Sequence, residues 1–431
     1  MDTNVIGLIA SFVVIVILTM RGFSVVVVAP LAVAIVSLLS RTGVLDALMG
    51  PYMTGGANYI ARFYLVFLFG SVFGSYMDNS GAARAIAMSV MKLTGKSSKL
   101  IVLLIISGLT VALTYGGVSL FVVIFAVMPV ARPIFKEMNI PWHFFVACLI
   151  WGTGTVSLGM GPGSPSILNI MPMKYLGTPA TAAPLLGTIA SVFVTVYYIW
   201  YLKWQLKKCA DRNEVFIEPA WAQKSADEPD RVLPPFIISV IPPVAIVVAL
   251  DALKLDIVWS LIIGCVLAAG CFWRHIESHQ RTLNTGAANS VIPALNTAAG
   301  VGFGTAAAAM AGFKVVSNFL VSIPGNPLIS MVLATFVLCG ITGSSTGGAG
   351  IMLETLMPRY VALGINHEVL HRVLTIAAGT FDCMPHCGTV ITTLTIAGLT
   401  HKQAYHHVFY TKMLATFLAT CIILPCAILF Y

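Results

Sequence analysis

Long apolar runs separated by short polar connections set the pattern of this chain. In the first half they predict membrane-spanning helices near 5–20, 23–40, 60–77, 143–173 and 181–203. In the second half they predict 235–250, 257–273, 288–310, 368–397 and 404–430. Most approach the ~20 residues that cross a hydrocarbon core. Between the third and fourth span of each half lie two further segments. One is amphipathic, at 82–93 and 312–322; the other is a pair of apolar arms, 99–113 with 119–131 and 328–341 with 349–361. Each arm is too short to cross comfortably with the small-residue tip between them, so the pairs are predicted as re-entrant hairpins.

Four interruptions stand out against this background. Thr114-Tyr115-Gly116-Gly117-Val118-Ser119 forms the first tip. Gly152-Thr153-Gly154 and Gly159-Met160-Gly161-Pro162-Gly163-Ser164-Pro165-Ser166 break the span that follows. In the second half, Thr342-Gly343-Ser344-Ser345-Thr346-Gly347-Gly348 forms the tip, and residues 379–389 break the next span. Unwound backbone at membrane depth persists only where protein or a water-filled cavity receives its polar groups. Paired interruptions at matching positions of two halves point to a carrier's binding site. Local matches fix the register: Gly81 with Gly312, Gly95 with Gly325, Met128-Pro129 with Met357-Pro358, Asn139 with Asn366, Gly152-Thr153 with Gly379-Thr380, and Gly161 with Gly388. Five crossings per half make the halves, 1–203 and 235–431, inverted relative to each other, with the polar linker 204–234 between them. The expected fold is an all-α polytopic membrane protein of two inverted repeats, each with a re-entrant hairpin and a broken helix.

Composition excludes the soluble classes. The chain is 58% hydrophobic and 9% charged, with a mean hydropathy of +0.92, whereas soluble proteins average roughly a quarter charged residues. The formal charge of +8 therefore reports topology, not a nucleic-acid partner. With the N-terminus outside, the inner connections collect Arg21, Arg84, Lys92, Lys96, Lys99, Arg132, Lys136, the six basic residues of 203–231, Arg274, Arg281, Lys402 and Lys412. That is 17 of the 24; Arg41, Arg62, Lys174, Lys254, Lys314, Arg359 and Arg372 stay outside. The split predicts a multi-pass protein of the bacterial inner membrane with both termini outside. Residues 1–5 lack a basic n-region, so the first span is expected to be retained. The nine cysteines scatter through apolar helices as small core residues. Cys383, His386 and Cys387 match none of the usual paired-cysteine zinc patterns, so no metal or other cofactor is expected. His401, His406 and His407 are expected as solvated side chains at the inner surface.

A small anion at membrane depth needs donors without the cost of a buried permanent charge, and helix N-termini supply them. The expected anion contacts are Tyr115, Gly116, Gly117, Ser119, Gly161, Ser164, Ser166, Asn169, Ser344, Ser345, Thr346, Gly347 and Thr389, with Thr392 and Thr393 close by. Tight packing of small residues is the competing account of any one tip, and four paired interruptions outweigh it. Asp382 and His386 are the expected carriers of the coupling cation, because an intramembrane carboxylate marks a relay, ion site or ligand by default. Glu354 fits a cavity or an interface equally; Asp78, Arg84 and Lys314 are expected at the interface.

The chain resembles the gluconate permease (GntP) family of the ion-transporter superfamily over nearly its whole length. The likeness rests on Gly74, on Asp78-Asn79-Ser80-Gly81-Ala82-Ala83-Arg84, on the following hairpin, and on His386 with Gly398-Leu399-Thr400 and Lys402-Gln403. It implies a homodimer working as an elevator, with a transport domain sliding against a dimeric scaffold, and proton-coupled uptake of sugar acids or related hydroxy acids. Gluconate carriers have His-Val-Asn-Asp where His386 is followed by Cys387-Gly388-Thr389, and tend to have an acidic residue at the first tip. These departures point to a shorter, less hydroxylated acid than gluconate. The rival readings are a sodium-coupled carboxylate symporter, with oxygens near 152–155 and 379–380 holding the ion, and a sodium/proton antiporter. An intramembrane enzyme is more remote, since it has no need of duplicated breaks.

Overall fold

The computed structural model describes residues 3–82, 85, 98–115, 120–164, 166–219, 233–251, 253, 255–321 and 325–430. Every described element is helical. Apolar sequence in lipid has no other way to satisfy its backbone short of a closed barrel.

In the first half, α1 (Thr3–Met20), α2 (Val25–Leu39) and α3 (Met53–Asn79) precede the hairpin arms α4 (Lys99–Tyr115) and α5 (Leu120–Glu137). The segment from 44 onward runs into α3, which bends by 47° between Ala61 and Phe63. The broken span follows. Helix α6 (Phe144–Trp151) widens into π turns (Gly152–Met160), the chain turns through 161–164, and α7 (Ile167–Leu176) resumes. The half ends in α8 (Pro184–Asp211), whose 28 residues rise about 42 Å. That exceeds the hydrocarbon core and carries the basic start of the linker beyond it. The predicted amphipathic segment at 82–93 falls almost wholly outside the described residues.

The second half repeats the order with α9 (Phe236–Asp251), α10 (Ile257–Cys271), α11 (His279–Ala309) and the amphipathic α12 (Ala311–Val321). The hairpin comprises α13 (Pro327–Thr342) and α14 (Ser345–Ile351), the latter continuing as Met352–Leu356 and Met357–Ala362. The second broken span comprises α15 (His367–Ala378) and α16 (Gly388–Ala397), separated by a non-helical stretch at 379–387. Helix α17 (His401–Val408), π turns (Phe409–Leu414) and α18 (Ala415–Phe430) complete the chain. Caps fix these boundaries. Asn326, Ser344 and Asn366 each accept a backbone N–H at their helix starts, and Thr400 with Gln403 forms a capping box.

Among the described residues, four helices are long and apolar enough to cross a membrane alone, or five with the bent segment counted. The remaining apolar helices have 10–17 residues. The spans 5–20 and 404–430 and both interruptions appear close to where the pattern predicts them.

The halves interlock. The third helices, α3 and α11, run antiparallel in close contact, with Gly286 over the Val72 backbone and Gly56 over the Ala298 carbonyl. The final helices, α8 and α18, also pack together. Contacts between α2 and α11 are mirrored by contacts between α10 and α3, and those between α4 and α6 by those between α13 and α15.

Candidate functional site

Glycine and proline prevent 379–387 from completing a helix, and this opens backbone between α15 and α16. Asp382 projects from the opening and accepts a hydrogen bond from Lys412 Nζ at 2.8 Å. Both side chains are buried, 6% and 4% exposed. Lys412 comes from the π turns before α18, and its stem crosses the first broken span at Gly154. A Cβ there would lie 3.0 Å from Lys412 Cδ and 3.3 Å from Nζ. One buried ion pair thus joins both breaks and the last helix.

Polar atoms in the second break and the helix after it are left over. Among the described residues, buried Thr380 Oγ1, Asp382 Oδ1, Thr393 Oγ1 and both ring nitrogens of His386 have no partner in hydrogen-bonding geometry. An unmade buried hydrogen bond costs about 1–3 kcal/mol, so such a concentration is characteristic of a site finished by a ligand, ion or water. No hydrogen bond joins His386 to Asp382. Its ring meets Phe12 and Phe303 edge-on, at centroid distances of 5.1 and 5.5 Å, with the Ile341 carbonyl facing it.

The second tip closes on the same histidine. Gly343 has φ +59°, and a Cβ on it would lie 2.9 Å from His386 Nε2. Ser344 accepts the Gly347 N–H at 3.1 Å and its hydroxyl meets that of Thr346 at 3.3 Å; Ser345 is buried and Gly347 exposed. Thr389 is half-buried in the first turn of α16, where Cys387 supplies no side-chain cap. The structure therefore brings the second tip against His386 through Gly343, with Asp382 buried in the same break.

The first break is different because its polar groups are used. Tyr115 Oη fills the position a Cβ on Gly161 would take. The Ser164 hydroxyl donates to the Ser157 carbonyl, and Ser166 caps α7 by accepting the Leu168 N–H. Asn169 Nδ2 donates to the carbonyls of Ser164 and Ala180, both at 2.9 Å. Its Oδ1 accepts from Arg372 Nη1 at 3.0 Å and meets His371 Nε2 at 3.2 Å. Arg372, fully buried on α15, also donates to the carbonyls of Ala182, Gly159 and Ala180 at 2.8–3.1 Å. The second half thus pins the first break in place. Gly116, Gly117 and Ser119 lie outside the described residues.

Three expectations need correction. Lys412, counted among inner loop charges, is buried beside Asp382, and Arg372, counted outside, is buried at the first break. Removing both leaves the charge split at 16 to 6. His407, expected to be solvated, is fully buried. The signal for the two cations was present in the pattern: both fall inside predicted spans, at 404–430 and 368–397, where an ionisable side chain is functional or paired.

Residues 3–259 match the GntP family permease profile. The uncharacterized transporter YxjC of Bacillus subtilis is 32% identical over 441 aligned residues, covering 92% of this chain and 93% of that protein. The chain belongs to the GntP family of permeases. An uncharacterized transporter of Haemophilus influenzae is 22% identical, covering 78% and 77% of the two chains. As a GntP family permease the chain is a membrane protein of the secondary transporters. Its matched profile ends before the second break, while the likeness to YxjC extends over nearly the whole chain.

Proposed function

We propose that this permease is a proton-coupled symporter for a small organic monocarboxylate, a sugar acid or short hydroxy acid, with Asp382 and Lys412 as the coupling pair. The buried Asp382–Lys412 contact against Gly154 carries the reading. While Asp382 is a carboxylate it holds the ammonium. A proton bound at Asp382 neutralises it and leaves Lys412 able to bind a substrate carboxylate between the two breaks. Substrate and proton then enter together, because neither charge is stable there without the other. A single ammonium matches a single carboxylate. The N-terminal turn of α16, uncapped by any side chain, and the tip hydroxyls of Ser344 and Thr346 add neutral donors. Residues Ser164, Ser166 and Asn169 act in this reading by holding the backbone of the first break, and Tyr115 and Gly161 by seating the first tip. His386 gates the second tip.

The exchanged packing of α2–α11 with α10–α3, and the antiparallel α3–α11 crossing, support two inverted repeats around one site. The homodimeric elevator implied by the family resemblance is the accompanying proposal for movement. An ammonium lying on Gly154 argues against sodium at the first break, since two cations would share one dry site.

The test is uptake into proteoliposomes with imposed proton or sodium gradients, after a thermal-shift screen of short hydroxy and keto acids to identify the ligand. A proton gradient, inside alkaline, is expected to drive accumulation without sodium. Accumulation that needs sodium and ignores the proton gradient would overturn the coupling assignment.

A further inference from the structure

A second cluster lies where α8 ends and the linker begins, away from the paired breaks. Helix α8 finishes at Arg212, and Asn213 takes a left-handed conformation (φ 53°). The turn brings Glu214 back over Cys209, whose carbonyl accepts the Glu214 N–H at 2.9 Å. Cys209 Sγ donates to Glu214 Oε2 at 3.2 Å. His143, immediately before α6, reaches the same oxygen through Nε2, also at 3.2 Å. The three ligand-type atoms all lie within 4.8 Å of one another.

We infer that His143, Cys209 and Glu214 form a binding site for a divalent transition metal of the zinc class. Zinc bonds of roughly 2.0–2.3 Å to nitrogen, oxygen and sulfur place tetrahedral ligands about 3.3–3.6 Å apart. The two 3.2 Å separations are close to those edges. A three-histidine alternative from His143, His406 and His407 fits worse, because His143 Nδ1 and His407 Nε2 are only 2.6 Å apart. That contact is a hydrogen bond. It gives a metal-bound His143 the outer partner such ligands require, and His407 Nδ1 in turn meets Tyr201 Oη at 2.8 Å. Arg212 lies 3.8 Å from the outer oxygen of Glu214 and opposes a cation, but its side chain is 62% exposed and screened. Glu214, about one-third exposed, leaves a fourth position for water. The metal would clamp the start of the linker to the first residue of the broken span.

The test uses the full, tag-free chain in detergent, stripped with chelator and titrated with Co²⁺. One ion per chain is expected, with a thiolate-to-cobalt charge-transfer band and competition by Zn²⁺. Cys209→Ser should abolish the band, and His143→Gln should weaken binding by more than the 10–100-fold expected for the outer-partner variant His407→Phe. His406→Gln should leave both unchanged. Each variant must keep its melting temperature in chelator, so that lost binding is not lost fold. A cobalt spectrum without the charge-transfer band, or affinity unaltered in Cys209→Ser, would overturn the site. Loss of binding in His406→Gln would reassign the ion to the three histidines and overturn it equally.

Discussion

Asp382 and Lys412 neutralise each other, so each single substitution should cost more than both together. Lys412→Met leaves a buried carboxylate without its cation, and Asp382→Asn leaves a buried ammonium facing only an amide. Breaking a buried pair costs about 3–5 kcal/mol, so thermal unfolding should fall sharply in Lys412→Met and less in Asp382→Asn, where the amide oxygen still accepts. The double variant should regain most of the loss without regaining transport. Function should divide differently. Asp382→Asn keeps the anion-binding ammonium and is expected to exchange substrate across the membrane while failing to accumulate it on a proton gradient. Lys412→Met should do neither. Wild-type accumulation in either single variant would remove that residue from the coupling pair. The sequence pattern exposed Asp382, because a carboxylate inside an apolar run is conspicuous. It conceals the partner, since Lys412 is 30 residues further on and reads as a loop charge. Arg372 is hidden in the same way. Its role gives a second prediction at this scale: Arg372→Lys cannot reproduce a fork that binds Ala182, Gly159, Ala180 and Asn169. Orphaned acceptors cost about 1–3 kcal/mol each, without simple addition, so Arg372→Lys should destabilise almost as much as Arg372→Met. Equal melting temperatures for Arg372→Lys and wild type would refute that account.

Helices and their interruptions were the most legible level, because hydrophobic length and glycine–proline punctuation are local signals. Which interruption remains open was not legible, for it depends on side chains arriving from other elements. Ser164 and Asn169 look like donors in a string of letters. In the fold they are consumed by Ser157, Ala180, His371 and Arg372. Thr380, Asp382 and His386 keep unpaired atoms, and nothing in their spacing distinguishes them from the first set. Tyr115 of the first tip and Gly343 of the second meet the breaks through glycine contacts, and these can be tested as elements. Gly161→Ala places a methyl where Tyr115 Oη sits, so it should displace the first tip and reduce uptake. Tyr115→Phe removes that oxygen, and the double variant Tyr115→Phe with Gly161→Ala is expected to recover part of the activity. A Gly161→Ala chain with unaltered uptake would show that this contact does not seat the tip. Gly343→Ala should be harsher, since it adds a left-handed backbone penalty of about 1 kcal/mol to a 2.9 Å approach to His386. No second substitution at His386 removes that backbone penalty.

At the scale of the molecule, the two halves explain why one site has two characters. In the proposed inverted repeat, duplication supplies two tips and two breaks, and inversion would turn them toward one another. In that proposal the first break has become a braced support, while the second keeps buried polar atoms without partners. The second half contributes both the brace, Arg372 and His371, and the ion pair, Asp382 and Lys412. This arrangement makes orientation a consequence that can be measured. With Lys412 and Arg372 removed from the loop count, the remaining basic residues still favour the side holding the linker 204–234, by 16 to 6. In the proposed topology the charge split would put that linker in the cytoplasm, and an odd number of crossings per half would put both chain ends opposite it. Alkaline phosphatase, active only outside the cytoplasm, should therefore be active when fused after Tyr431 and inactive when fused within 221–230. A fluorescent protein that matures only in the cytoplasm should give the reverse. If fusions at both places report the same side, the second half has an even number of crossings. The halves are then parallel, and the two breaks lose the inversion that makes them face one site.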